Sequence, residues 1–322
     1  MVALVGVNLL GHTILVERFL ERAAVAHPTS APPPPPSAPF NIVTATGPFT
    51  CTDDLSYAPL DELLRQAKRR HAAAVVLLGP FIDDAHPKLG DNRSPAPFPT
   101  LFASRVLRKL EDFVAQLGDS APQIVLVPST RDAHHTPVFP QPPFAAEASH
   151  RIHFAPNPAQ LNVGGVGLAC CSADVLFALG ASELASAPKP GAARPDRMAR
   201  LASHVLQQRL FMPLLPPPID GERGPMPVDQ VGNLRHGTLY KTDILLVPSE
   251  LAPFAKLVNG DTLCVNSGRL TRKQAGGNYA IIGVHPRAGA VQAVAAAGED
   301  IRDEVVDAES DGPQMAVEIA RI

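Results

Sequence analysis

Six residues in two short stretches could do chemistry. Asp83, Asp84 and His86 in "LLGPFIDDAH", and Asp132, His134 and His135 in "LVPSTRDAHH", each follow directly on a short apolar run. Carboxylates and imidazoles gathered at strand ends are the raw material of a two-metal phosphoesterase, in which paired cations polarise phosphorus and generate a hydroxide nucleophile.

The elements that would have to position them follow a repeating grammar of apolar strand, sharp turn, polar segment and helix. "FNIVTATGPF" leads to a helix over "PLDELLRQAKRRH", "AAAVVLLGPF" to a helix around "LFASRVLRKLEDFVAQL", and "PQIVLVPST" to a long proline-rich loop. Further on, "AQLNVGGVGLACCS" predicts a hairpin with a Gly-Gly turn and "RMARLASHVLQQRLF" an amphipathic helix. "TDILLVPSEL", "DTLCVNSGRL", "YAIIGVHP" and "QMAVEIARI" predict strands. This order predicts a mixed α/β layered domain with its function at the strand ends. "TGPF", "LGPF", "VPST" and "VPSE" (46–49, 78–81, 127–130 and 247–250) predict four similar turns at one edge of a sheet.

Composition narrows the classes. With 322 residues and 45 % apolar content the chain can bury a large core, and 28 basic against 31 acidic residues give no field that would draw it onto nucleic acid or anionic lipid. Cys51, Cys170, Cys171 and Cys264 have neither zinc-ligand nor disulfide-framework spacing, which fits a reducing compartment. The N-terminus has an apolar run, but Asn8, His12, Glu17, Arg18, Glu21 and Arg22 argue against a signal peptide or a membrane span. There "VALVGVN" reads as a strand and "TILVERFLERAAVA" as a helix. The five prolines Pro32–Pro36 read as a polyproline-like spacer or surface insertion, with an SH3 or WW ligand as the alternative.

The blocks "TGPFTCTDDLSYAPLDELL", "VVLLGPFIDDAHPKL", "VLVPSTRDAHHTPVFPQPPF", "DILLVPSEL" and "CVNSGRLTRKQAGGNYA" occur in that order. Through them the chain from about residue 40 to Ile322 resembles the family of B subunits of DNA polymerase α. The small subunits of the δ and ε polymerases are more distant relatives, and "PVFPQPPF" favours α. The resemblance implies an α/β, layered calcineurin-like metallophosphoesterase fold, with two packed mixed β-sheets flanked by helices and the remnant of an OB fold at the N-terminus. It divides the chain into 1–26 (end of the OB region and a following helix), 27–39 (proline-rich linker or insertion) and 40–322 (phosphoesterase-like domain). It also implies an inactive, non-catalytic accessory subunit in the nucleus, with no cofactor and no membrane contact. That subunit scaffolds the C-terminal region of the polymerase α catalytic subunit, reaches primase through the complex, and touches DNA weakly or indirectly. Relatives begin with a helical domain, a tether and most of an OB fold, so Met1 to Leu10 is expected to be a lone strand without its barrel.

Against the active members of that superfamily the metal positions are degenerate. Gly47-Pro48-Phe49 stands in place of Asp-x-His, and Pro80 in place of the bridging Asp, leaving Asp83 without the partner that would share a metal. Pro128, Ser129 and Thr130 replace Gly-Asn-His, and the later histidine motifs fall on Ser249 and on Asn266 through Arg269. The alternative is a retained metal-dependent phosphodiesterase or exonuclease.

For Asp132, His134 and His135 two further readings stay open beside metal binding. Asp132 could accept loop N–H bonds while the histidines bond carbonyls or pack on rings. Alternatively the proline-stiffened loop, with Phe139 and Phe144 as anchors, docks a partner. Arg269, Arg272 and Lys273 form a compact basic cluster beside an accessible Gly276-Gly277 backbone, which reads as a solvated turn or as a contact for an acidic partner.

Overall fold

A computed structural model of the chain describes residues 3–8, 11, 13, 15–20, 34–90, 94–184, 196–214, 234–236, 241–286 and 314–322. The strands are β1 (Ala3–Val7), β2 (Leu15–Leu20), β3 (Phe40–Thr46), β4 (Ala72–Leu78), β5 (Gln123–Val127), β6 (Ile152–Phe154), β7 (Ala159–Val163) and β8 (Val166–Cys170). They continue with β9 (Ile244–Leu246), β10 (Phe254–Val258), β11 (Thr262–Asn266), β12 (Thr271–Arg272), β13 (Ala275–Gly276), β14 (Asn278–His285) and β15 (Gln314–Arg321). The helices are α1 (Ala58–Arg69), α2 (Phe98–Leu101), which passes through a π-helical stretch (Phe102–Leu107) into α3 (Arg108–Leu117), then α4 (Val175–Ser182) and α5 (Arg197–Gln208).

Two sheets carry the fold. One has six strands in the order β15-β14-β3-β4-β5-β6, with β3, β4, β5 and β6 mutually parallel, and the other has five in the order β10-β11-β9-β8-β7, with β8, β9 and β11 parallel. Alternation along each strand divides its side chains between layers. In β4, Ala74, Val76 and Leu78 face the core between the sheets with Leu168, Cys170, Ile244, Leu263 and Val265, while Val75 and Leu77 face a second core under α1 and α3. A third core covers the outer side of the five-stranded sheet with Leu176, Leu179, Leu201 and Val205 of α4 and α5. The layers are therefore helix, sheet, sheet, helix.

Local chemistry explains the helices. In α1, Leu60, Leu63, Leu64 and Ala67 are buried at helical spacing, and Lys68 and Arg69 in the last turn face its negative dipole end. Asp196 caps α5 by accepting Met198 N at 2.8 Å.

The structure corrects several expectations. Within "TILVERFLERAAVA", Leu15–Leu20 is a strand and not a helix, because it pairs antiparallel with β1 from Ala3↔Leu20 to Val7↔Leu15. The first strand is thus not alone. The four similar turns do not share one sheet edge: three end β3, β4 and β5, and "VPSE" ends β9 in the other sheet. Of the proline run, Pro34–Pro36 lies against the β7–β8 turn, where a Cβ on Gly165 (φ +93°) would collide with the Pro34 carbonyl and one on Gly164 would lie 3.0 Å from the Phe40 ring. Pro32 and Pro33 lie outside the described residues. Among the described residues no helix is long and apolar enough to cross a membrane.

Candidate functional site

Parallel pairing brings the C-terminal ends of β3, β4 and β5 together, and those of β8, β9 and β11 opposite them. The turns interlock through backbone bonds: Gly47 N donates to Leu78 O, Gly79 N to Val127 O and Leu270 N to Thr46 O, each at 2.8 Å. Gly47 and Gly79 are both in cis peptide bonds to proline. Both are also sterically required, since a Cβ on Gly47 would strike the Pro80 carbonyl and one on Gly79 would strike the Asp132 carboxylate. Ser172 Oγ donates to Pro128 O at 2.8 Å and accepts from Asn157 Nδ2 at 2.7 Å, which ties the sheets through a buried polar network.

Asp132 is 2 % exposed, and its carboxylate is spent on backbone. Oδ1 accepts Phe81 N at 2.5 Å and Ile82 N at 3.0 Å, and Oδ2 accepts Ser129 N at 2.8 Å. Complete burial pushes its carboxyl up to about 7, against the pull of those three N–H bonds. Asp83 receives Arg131 Nη2 at 2.7 Å on each of its oxygens, and Arg131 Nε lies 3.8 Å from Asp84. Burial first, then the Asp83 charge, raises the Asp84 pKa.

The histidines are occupied as well. His86 uses both nitrogens, Nε2 with Cys51 O at 2.9 Å and Nδ1 accepting Lys88 N at 3.1 Å. His135 Nε2 contacts Pro142 O at 2.8 Å. His134 stacks on Phe102 (centroids 4.1 Å apart) and Phe144 (4.9 Å), and neither of its nitrogens has a hydrogen-bond partner. Burial, then the neighbouring His135, pushes its pKa down to about 4, so at neutral pH its 3.9 Å approach to Asp132 is not an ion pair.

The remaining strand-end positions are internal braces. Asn266, fully buried, accepts Ser249 N and Gly268 N on Oδ1 at 2.9 Å each, and donates from Nδ2 to Leu251 O and Ala252 O at 3.2 Å. Ser249 Oγ accepts Leu251 N and Ser129 Oγ accepts Arg131 N. Pro80 is buried, and Pro48 and Thr130 are partly so. Asp174, which sequence reasoning missed, accepts Phe177 N and Glu250 N and thereby fixes the start of α4 against the turn after β9. Among the described residues no group of three or more His, Cys, Asp or Glu side chains could hold a metal ion. The donor set therefore does not fit a dinuclear centre.

The surface differs from expectation. Phe139 and Phe144 are 5 % and 6 % exposed and fill different cores, because the loop folds back over both sheets, while Val138 and several prolines of the loop are exposed. Arg272 and Lys273 are exposed on the β12–β13 hairpin, whereas Arg269 turns inward, with Nη1 3.4 Å from Gly47 O and Nη2 3.9 Å from Glu250. Gly276 and Gly277 do not offer open backbone, since Cβ atoms there would strike the Ile322 and Arg269 carbonyls.

Comparison with known proteins sets relatives beside this geometry. The family model for the B subunit of DNA polymerase alpha/epsilon matches residues 42–256. The DNA polymerase alpha B subunit of Mus musculus is 36 % identical over 244 residues, covering 74 % of this chain and 38 % of that protein. That of Bos taurus is 30 % identical (80 % of this chain, 41 % of that one), and that of Schizosaccharomyces pombe 29 % (77 % and 43 %). The chain spans about two fifths of the length of these relatives. A solved structure, TT1561 of Thermus thermophilus, covers 75 % of this chain and 93 % of that one at 14 % identity, with a TM-score of 0.34, too low to bear on the fold.

Proposed function

The chain belongs to the DNA polymerase alpha/epsilon B-subunit family, and from that premise we propose that it is a non-catalytic accessory subunit of DNA polymerase α–primase. In this reading residues 40–322 are a calcineurin-like phosphoesterase domain without hydrolytic activity, 1–26 the end of an OB-fold region and 27–39 a proline-rich linker or insertion. The domain works in the nucleus as a scaffold for the C-terminal region of the polymerase α catalytic subunit, reaching primase through the complex and DNA weakly or indirectly.

One observation supports the loss of catalysis above the others. At the strand-end face the acids and imidazoles that could ligate a metal are engaged by protein groups or stacked on rings: Asp132 by three backbone N–H groups, Asp83 by Arg131, and His134 against the Phe102 and Phe144 rings. A carboxylate that releases those partners to bind a cation leaves buried donors unsatisfied, at about 1–3 kcal/mol each.

The test is co-purification with the C-terminal region of a DNA polymerase α catalytic subunit. Retention of that region through gel filtration is the expected result, and its elution as a separate species overturns the proposal. In parallel, manganese-dependent cleavage of a DNA or phosphodiester substrate that Asp83→Ala and His135→Ala both abolish would establish the enzyme instead.

A further inference from the structure

We infer that two guanidinium groups, Arg131 and Arg269, replace bridging cations at the strand-end face, Arg131 as the internal counter-ion of Asp83 and Arg269 as a tie between loops, which rests on reading this face as a former metal site. In a dinuclear phosphoesterase the cations do two things: they neutralise converging acids, and they tie several loops to one point. In this chain side chains do both.

Arg131, just after β5, reaches the turn after β4, where its Nη2 lies 2.7 Å from both oxygens of Asp83 and its Nε faces Asp84. The side chain of Asp83 is 9 % exposed and that of Arg131 27 %, so the pair is shielded without being sealed. Arg269, just after β11 and 13 % exposed, donates to Gly47 O after β3 and faces Glu250 after β9. Together the two groups touch the ends of β3, β4, β5, β9 and β11, strands drawn from both sheets. A guanidinium suits this place because it stays charged at every physiological pH and presents donors in a fixed plane. A divalent ion entering here would have to displace Arg131 from Asp83.

The test is thermal unfolding of the whole chain with variants. Arg131→Met and Asp83→Asn are each expected to lower the midpoint by about 3–8 °C, and the double variant Arg131→Met/Asp83→Asn to fall no further than the worse single. Arg131→Lys, which keeps the charge but loses the fork, recovers part of the loss. Arg269→Met lowers the midpoint, while Glu250→Gln, whose side chain is 61 % exposed, changes it little. Manganese or EDTA leaves the wild-type midpoint in place.

Additive losses in the double variant overturn the inference for Arg131, and an unchanged Arg269→Met overturns it for Arg269. A manganese-induced rise that Asp83→Asn abolishes overturns it altogether. Should Arg131→Met not fold, the double variant, which retains neither charge, is expected to fold; its failure also counts as refutation. Loss of co-purification with coupling intact would sink only the partner proposal, and the converse would sink only this one.

Discussion

Replacing His134 with phenylalanine should make the protein more resistant to acid. The imidazole lies nearly parallel to Phe102 and Phe144, with interplanar angles of 23° and 19°, so a phenyl ring can enter the same stack. It also removes two buried nitrogens without partners. Relief of those nitrogens, about 1–3 kcal/mol each, is set against about 1–3 kcal/mol for a larger ring in a packed site, so the variant should equal or slightly exceed wild type at neutral pH.

The pH dependence is the sharper quantity. Burial holds His134 at about 4 against an ordinary value of 6.5, so the unfolded chain binds a proton before the folded one does. Stability from this group is complete above pH 6.5 and is lost as pH falls toward 4, by about 2 kcal/mol between pH 7 and 5. His236, buried and pushed down to about 4 as well, loses a similar amount in both proteins and drops out of the comparison. Urea midpoints at pH 7, 6 and 5 should show the gap between His134→Phe and wild type widening by about 2 kcal/mol. A gap that stays constant refutes the buried, neutral imidazole. Asp132, 3.9 Å away, is the acid that could shift this result, so the comparison is repeated with Asp132→Asn in both proteins.

Other perturbations read other parts of the structure. Asp132→Ala leaves Phe81 N, Ile82 N and Ser129 N without their acceptor and should destabilise the chain by about 3–6 kcal/mol in a urea titration; a loss under about 1 kcal/mol would mean that water or another acceptor replaces the carboxylate. Gly79→Ala drives a methyl group into that carboxylate and should be more damaging than Gly90→Ala, where a Cβ meets nothing within 4 Å, with circular-dichroism melts deciding the order. Deleting residues 314–322 strips β14 of its pairing from Asn278↔Arg321 to His285↔Gln314 and should give aggregated protein by light scattering. A soluble monomer would contradict it.

Much of the fold was legible because its strands are short apolar runs closed by Gly-Pro or Pro-Ser turns. The failures have physical causes. "VLFALGAS", the segment of α4, is apolar nearly all round and therefore shows no helical stripe. β6 is three residues long, and β10 carries Lys256 in a run bounded by turns, so neither stands out in sequence. At the N-terminus "LVERFL" satisfies a helical or an extended pattern, and only pairing with β1 decides between them. At the site, the missing ligands at Pro48, Pro80 and Ser129 were readable one position at a time. Partnership was legible only in part: that Asp132 accepts loop N–H bonds was among the open readings, but nothing in "STRDAHH" announces which amides it serves or that Arg131 clasps an acid 48 residues earlier. A proline-rich segment is ordinarily superficial, which kept open the reading of Phe139 and Phe144 as docking anchors, but this one folds inward over two cores.

The position of β14 bears on synthesis. It lies between β3 and β15, and its register, Ala280↔Thr44 through Val284↔Phe40, joins segments more than two hundred residues apart. A nascent chain that has not yet delivered β14 therefore carries the edge of β3 open while β4 and β5 can already pair beside it. Such an intermediate is slow to close and prone to edge-to-edge association. Ribosome-bound chains halted before residue 278 should accordingly recruit holdase chaperones, and chains in which both β14 and β15 have emerged should shed them.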